Sequence, residues 1–231
     1  MLALAIDSSQ DICSLTLGGE SGAIAEYDFH HKMNLLRRIL RNIHALLQDS
    51  GVSPGDLECI ITSLGPGSFT GLRIGVTVAK SLAYVLSKPI IGIGTLDALA
   101  HGIVPTRDDL ICPMIFARAD EVYWSPFDSA GTRLADYEVS PVARALAQLK
   151  ARGSGVCFCG TGARRNTERI KEALRQYATF APPRYDYVRG AVLLELGVRR
   201  VLAGEEDDPL PLAPLYVRRP TPVVRLEEKG R

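Results

Sequence analysis

The chain has 231 residues, 46% of them hydrophobic and 23% charged, with 27 Lys+Arg against 26 Asp+Glu. A formal charge of +1 excludes both a nucleic-acid binder held by bulk positive charge and an acidic disordered chain. At this length a full core can be buried without disulfide or metal staples, and length alone allows one or two domains. Residues 151–231 hold 15 basic and 10 acidic side chains, a net +5, which leaves −4 for residues 1–150.

The apolar run Leu2–Ile6 predicts a strand covered on both faces, ending at the polar turn Asp7-Ser8-Ser9. Two more short strands follow at 12–18 and 23–29, joined by a Gly-rich turn. Then the period changes. Met33, Leu36, Ile39, Leu40, Ile43, Leu46 and Leu47 share one helical stripe, while Arg37, Arg38, Arg41 and Asn42 face away, so a helix is expected over 32–50. A strand at 59–64 runs into Gly65-Pro66-Gly67-Ser68-Phe69-Thr70-Gly71, which turns into a helix over 70–87. A strand at 89–94 and a helix at 95–101 complete the first half.

The order then repeats. Strands are expected at 111–118, 121–127 and 133–139, a helix at 141–152, a strand at 156–160 and helices at 163–177 and 188–203. Two β-β-β-α-β-α halves in tandem, each with a hairpin beside parallel strands, give two mixed sheets flanked by helices. This α/β plan is that of the actin-like ATPase (ASKHA, ribonuclease H-like) fold. A single Rossmann domain would need helices between its first three strands. The expected units are 1–102, 103–206 and an irregular tail over 207–231, with an edge strand possible at 215–218.

Cys13, Cys59, Cys112, Cys157 and Cys159 contain no Cys-x-x-Cys pair, and four lie in apolar runs, which points to buried reduced thiols. Reduced thiols fit the cytoplasm. The start, MLALAIDSSQ, lacks the basic region of a signal peptide, and no run of about 18 apolar residues is expected to span a membrane. The four histidines show no His-x-x-x-His spacing and read as surface or turn residues.

Asp7, Ser8 and Ser9 end the first strand, where an acid and hydroxyls can approach a nucleotide phosphate and its metal; equally, Asp7 can cap the turn. The matching turn of the second half, Phe116-Ala117-Arg118, offers no acid, so such a clamp would be half dismantled. The loop of Gly65, Gly67, Ser68, Thr70 and Gly71 is neither a P-loop nor a dinucleotide fingerprint; it could hold an anion at a helix N-terminus or serve as a tight turn. Gly71, Gly75, Ala79 and Ala83 recur every four residues, which permits close approach of a helix from another subunit or of this chain's own sheet.

Taken together, Ala5-Ile6-Asp7-Ser8-Ser9, the stretch Ser63–Gly75, Pro89–Asp97, Ala117–Tyr123, Cys159–Gly162 and Pro214–Arg218 resemble the bacterial TsaB (YeaZ) family, in the same order and over nearly the whole chain. The resemblance implies two actin-like lobes and a role in forming threonylcarbamoyladenosine in tRNA beside the anticodon. The implied partners are a TsaD-like catalytic subunit, a TsaE-like ATPase and, for the chain alone, a second copy. It implies contact with tRNA only through the assembly, no cofactor, no metal and no catalytic residue. The related enzyme carries a His-x-x-x-His metal pair, and alignment on Pro89–Gly94 places Thr95 and Leu99 there. Many family members have Asp where this chain has Phe116. The resemblance also places pairing on the first two helices, so Leu36, Ile39, Ile43, Leu47, Gly71, Gly75, Ala79 and Ala83 are the expected interface. The competing reading is an active small-molecule kinase or ATPase of the same fold, which needs acids in both lobes. A peptidase would need a metal site or an activated nucleophile, and neither is visible. Direct tRNA reading has only the modest C-terminal charge behind it.

Overall fold

A computed structural model describes residues 1–31, 34–104 and 109–217. The first sheet holds β1 (Leu2–Asp7), β2 (Ile12–Gly19), β3 (Gly22–His30), β4 (Cys59–Gly65) and β5 (Ile90–Gly94) in the order β3-β2-β1-β4-β5. β1–β2 and β2–β3 are antiparallel, β1–β4 and β4–β5 parallel. The second sheet repeats this plan with β6 (Leu110–Arg118), β7 (Glu121–Trp124), β8 (Glu138–Pro141), β9 (Val156–Cys159) and β10 (Ala178–Phe180), ordered β8-β7-β6-β9-β10.

The helices make three layers around these two sheets. α1 (Leu35–Asp49) and α2 (Phe69–Leu86) cover the outer face of the first sheet, burying Leu35, Ile39, Ile43, Leu46 and Leu47 with Leu4, Ile6, Leu15 and Leu17. α4 (Val142–Ala151), α5 (Thr161–Arg165) and α6 (Thr167–Leu174) cover the outer face of the second. Between the sheets lie α3 (Thr95–His101) and α7 (Gly190–Leu202), whose Leu96, Leu99, Leu193 and Leu194 join Ala5, Ile61, Ile91, Ile111, Ile115 and Phe127 in one core. Chain order puts α7 with the second unit, 103–206, yet it lies on the first sheet. Gly190 and Gly197 let its backbone come down against Thr16 and Ile61.

Four expectations are corrected. β10 had no strand signal, because Ala178-Thr179-Phe180 is only three residues long and shows no alternation. The expected helix over 163–177 breaks at Asn166 (φ −112°) into α5 and α6. The strands expected at 121–127 and 133–139 shorten to β7 and β8, with Phe127 and Arg133 making isolated bridges. α2 is long and apolar enough, by length and composition, to cross a bilayer; its Leu72, Val76, Val78, Ala79 and Ala83 are instead buried within the fold. Met33, expected on the first helix, and Arg218, expected on an edge strand, lie outside the described residues. Residues 215–217 form no strand, although the Leu215 amide donates to Leu64 O at 2.7 Å. The tail is fastened elsewhere too: Asp207 accepts from the Gly92 amide and pairs with Arg200, and Lys80 donates to the carbonyls of Leu210 and Leu212. All five cysteines are free and buried.

Candidate functional site

The turns after β1 and β6 face each other across a cleft of about 440 Å³ between the sheets, lined by Ser9, Gln10, Ser68, Phe116, Thr161 and Arg165 among others. The site is built from the first turn upward. Asp7 is 2% exposed and accepts from the Ser9 amide at 3.1 Å. Burial raises its carboxyl above the usual range, with the Ser9 contacts opposing. It does not line the cleft. Such an acid is poorly suited to a phosphate-bound cation.

The glycine loop closes the same turn from the other side. Ser68 caps α2, accepting from the Gly71 amide at 3.2 Å, while its own amide donates to Ser9 O at 2.7 Å. The Ser8 hydroxyl donates to Gly71 O at 2.9 Å. A methyl group on Gly67 or Gly71 would overlap Ser9 O or Ser8 O, and one on Gly75 would overlap the Ser8 hydroxyl. The glycines are therefore needed for close approach of backbone to backbone. Gly65 ends β4 at φ 111°, and Thr70 is exposed.

The opposite wall is occupied by the chain's own groups. The Gln10 carboxamide reaches across to Thr161 Oγ1 (3.4 Å) and Asp186 O (3.1 Å). Thr161 Oγ1 in turn accepts from the Phe116 amide at 3.3 Å. Arg164 grips Asp186 with two hydrogen bonds of 2.8 and 3.0 Å and also donates to Ala181 O. Arg165 lies 4.0 Å over the Phe116 ring. Of the acids lining the cleft, Asp186 is committed to Arg164, and Asp11 is exposed. Thr95 and Leu99 are both buried in the core between the sheets, on α3. Among the described residues no three His, Cys, Asp or Glu are grouped as metal ligands.

Sequence reasoning missed Gln10, Arg164 and Asp186, as well as Asp97, which accepts from Tyr137 and lies 3.8 Å from Arg133. Gln10 does follow the Asp-Ser-Ser turn, but nothing in spacing joins it to a residue 176 positions away.

The expected interface divides. Ile39, Ile43 and Leu47 are buried against the chain's own sheet, as are Gly71, Gly75, Ala79 and Ala83, so none of them is available to a partner. The row of small residues serves β1 and the Ser8 turn. Leu36 alone of the set is exposed, at 68%. Helix geometry places it. Arg38 stacks 4.6 Å over Phe29 of β3, so the other flank of α1, with Leu36 and Leu40, lies toward α2. Lys80 reaches the tail, so the flank of α2 bearing Ile74, Ser81 and Val85 lies toward α1. Leu36, Leu40 and Val85 are exposed and Ile74 is half-buried, which leaves an apolar furrow between the helices.

Two outcomes follow from this placement. Ala79→Leu is expected to lower fold stability by about 1–3 kcal/mol through overpacking, read as a shift in urea midpoint; an unchanged midpoint would place Ala79 at the surface. Asp7→Asn is expected to stabilise the fold at neutral pH. A raised carboxyl pKa means that the native state keeps a proton the unfolded chain has released. Stability therefore falls as pH rises from the ordinary aspartate range, about 3.9, through the folded pKa. Asparagine keeps the acceptor for Ser9 without that loss. Melting curves of both proteins between pH 4 and pH 8 should diverge upward; parallel curves would refute the assignment.

The paired sheets and the inter-sheet cleft define a protein of the actin-like ATPase class. The activator of 2-hydroxyisocaproyl-CoA dehydratase from Clostridium difficile shares this fold at TM-score 0.50 and 9% identity, covering 90% of this chain and 99% of that one. A Pseudomonas aeruginosa protein described as similar to peptidase YEAZ superposes at TM-score 0.80 with 27% identity, over 94% of this chain and 99% of that one. Residues 30–207 match the family model described as TsaD, tRNA N6-adenosine threonylcarbamoyltransferase. The tRNA threonylcarbamoyladenosine biosynthesis protein TsaB of Bacillus subtilis (strain 168) is 42% identical over 123 residues, 53% of each chain. Uncharacterized protein Rv3421c of Mycobacterium tuberculosis (strain ATCC 25618 / H37Rv) is 31% identical over 183 residues, 79% of this chain and 74% of that one. The chain belongs to the TsaB (YeaZ) family. Its match spans about half the length of the TsaB relatives.

Proposed function

We propose that this chain is a non-catalytic pairing subunit in the formation of threonylcarbamoyladenosine in tRNA, working with a TsaD-type catalytic subunit. A TsaE-type ATPase joins the same cytoplasmic assembly, and tRNA is met through the complex. The observation that carries the reading is the exposed furrow of Leu36, Leu40, Ile74 and Val85 on the outer helix layer. A contiguous apolar strip on a soluble fold marks an interface. The TsaB names of its relatives supply the process.

The absence of catalysis rests on the cleft. Asp7 is buried with a raised pKa, the residues facing it are Phe116, Ala117 and Arg118, and Asp186 is held by Arg164. The purified chain is expected to show no steady ATP hydrolysis. Turnover that disappears in Asp7→Ala would overturn this and favour the kinase or ATPase reading.

Pairing is tested by copurification with the TsaD-type subunit of the same organism. Leu36→Asp/Leu40→Asp should abolish it while leaving the melting temperature unchanged, because both positions are exposed. Undiminished copurification of the folded variant would sink the proposal.

A further inference from the structure

The outer helix layer is charged as well as apolar, and the charge is one-sided. α1 carries Arg37, Arg38 and Arg41 against Asp49, and α2 carries Arg73 and Lys80 with no acid. Three of these cations have work within the fold. Arg38 donates to His30 O and stacks on Phe29, Lys80 holds the tail, and Arg73 lies 5.0 Å from the Phe69 ring. Arg37 and Arg41 are exposed and make no ion pair or hydrogen bond among the described residues. One helical turn apart, they form a crest beside the furrow. Asp49 sits at the last position of α1, on the flank toward β3, too far round the helix to neutralise them.

An apolar centre with a charged rim is the usual anatomy of a protein interface. The sign of the rim then selects the partner. A twofold pair of this chain would bring the Arg37–Arg41 crest of one copy against the equally basic layer of the other. We infer that the α1–α2 face is a heterotypic docking surface for a protein whose opposing face has an apolar centre and an acidic rim, and that its own charge works against pairing with a second copy. The inference rests on the reading of this chain as a pairing subunit and adds the electrostatic rule by which that surface chooses its partner.

A charge-reversed copy provides an acidic-rimmed partner without recourse to any other protein. In Arg37→Glu/Arg41→Glu both substitutions are at exposed positions, so the fold should persist, checked by circular dichroism and melting. Sedimentation is measured for wild type, variant and their equimolar mixture from about 0.01 M to about 1 M salt, over which the screening length falls from about 30 Å to about 3 Å. The wild type is expected to self-associate least at low salt and more as salt rises. The mixture should pair at least about tenfold more tightly than wild type with itself at low salt, with the advantage vanishing at high salt. A wild-type dimer as tight at low salt as the mixture overturns the inference, as does a mixture indifferent to salt.

The TsaD-type subunit provides the second arm, in which binding should weaken with salt and fall about tenfold or more in the double variant. If wild type does not bind that subunit while the mixture still pairs, the proposed function fails and the charge rule stands. If the subunit binds wild type and variant equally, the charge rule fails and the proposed function stands. Capture of a tRNA anticodon stem-loop by the chain alone, lost in the variant, would assign the two arginines to phosphate and also overturn the inference.

Discussion

Gly71→Val is expected to cost at least about 3 kcal/mol, a large share of the roughly 5–15 kcal/mol that holds a typical domain together. The contact is between main chains: a Cβ at Gly71 would overlap the carbonyl oxygen of Ser8, which sits on the buried turn after β1. Neither side can yield easily. Ser8 continues a strand hydrogen-bonded on both sides, to β2 and β4, and its hydroxyl is bonded to Gly71 O. Valine would gain a little helix propensity over glycine, a fraction of 1 kcal/mol, which the clash exceeds. The neighbouring exposed residue is the control, since Thr70→Val should stay within about 0.5 kcal/mol of wild type. Urea midpoints of the three proteins decide the matter. A Gly71→Val midpoint equal to that of Thr70→Val would show that α2 stands off the Ser8 turn.

Phe127→Ala is expected to lower stability by about 3–5 kcal/mol and to do so for both sheets together. Phe127 is fully buried, and its amide and carbonyl pair with Ile111 at 2.8 and 2.9 Å. It belongs to the core that also takes in Ile91 and Ile93 from β5, Leu96 from α3 and Leu193 from α7. The cavity left by alanine therefore opens onto side chains of both halves. Trp124, the single tryptophan, reports on β7 through its fluorescence, and hydrogen exchange at β1 reports on the first sheet. Both signals should shift to the same lower denaturant concentration. A shift in the Trp124 signal with β1 protection unchanged would mean that the halves unfold separately.

The sequence made some of these features plain and concealed others, for physical reasons. β1, β4 and β5 were legible because strands covered on both faces read as unbroken apolar runs. The hairpin β2–β3 was legible from its Gly-rich turn. Helix periodicity placed α1 correctly but could not say what covers the stripe. Ile39, Ile43 and Leu47 proved to be core, and the partner-facing residues are those just beyond them, Leu36 and Leu40. The Gly71–Ala83 row left the same ambiguity, and the structure settles it in favour of the chain's own Ser8 turn. β10 was invisible because a three-residue edge strand has too few positions to show alternation. The links across the cleft, Gln10 with Thr161 and Asp186, join residues distant in sequence, and only the assembled topology brings them together.

The exchange of α7 onto the first sheet bears on how the protein is made. During translation the first five strands, with α1 and α2, leave the ribosome well before Gly190–Leu202 does. Until then the inner face of that sheet, including Ala3, Ala5, Cys59 and Ile61, has no helix from its own half of the chain to cover it fully. The nascent N-terminal portion is thus an incomplete product that exposes apolar surface and is open to chaperone capture or wrong pairing. Release of the last helix is the event that seals it. A gene split between the two sheets would give a first fragment with an open face, and the remedy would be to supply the thirteen residues of α7 in trans.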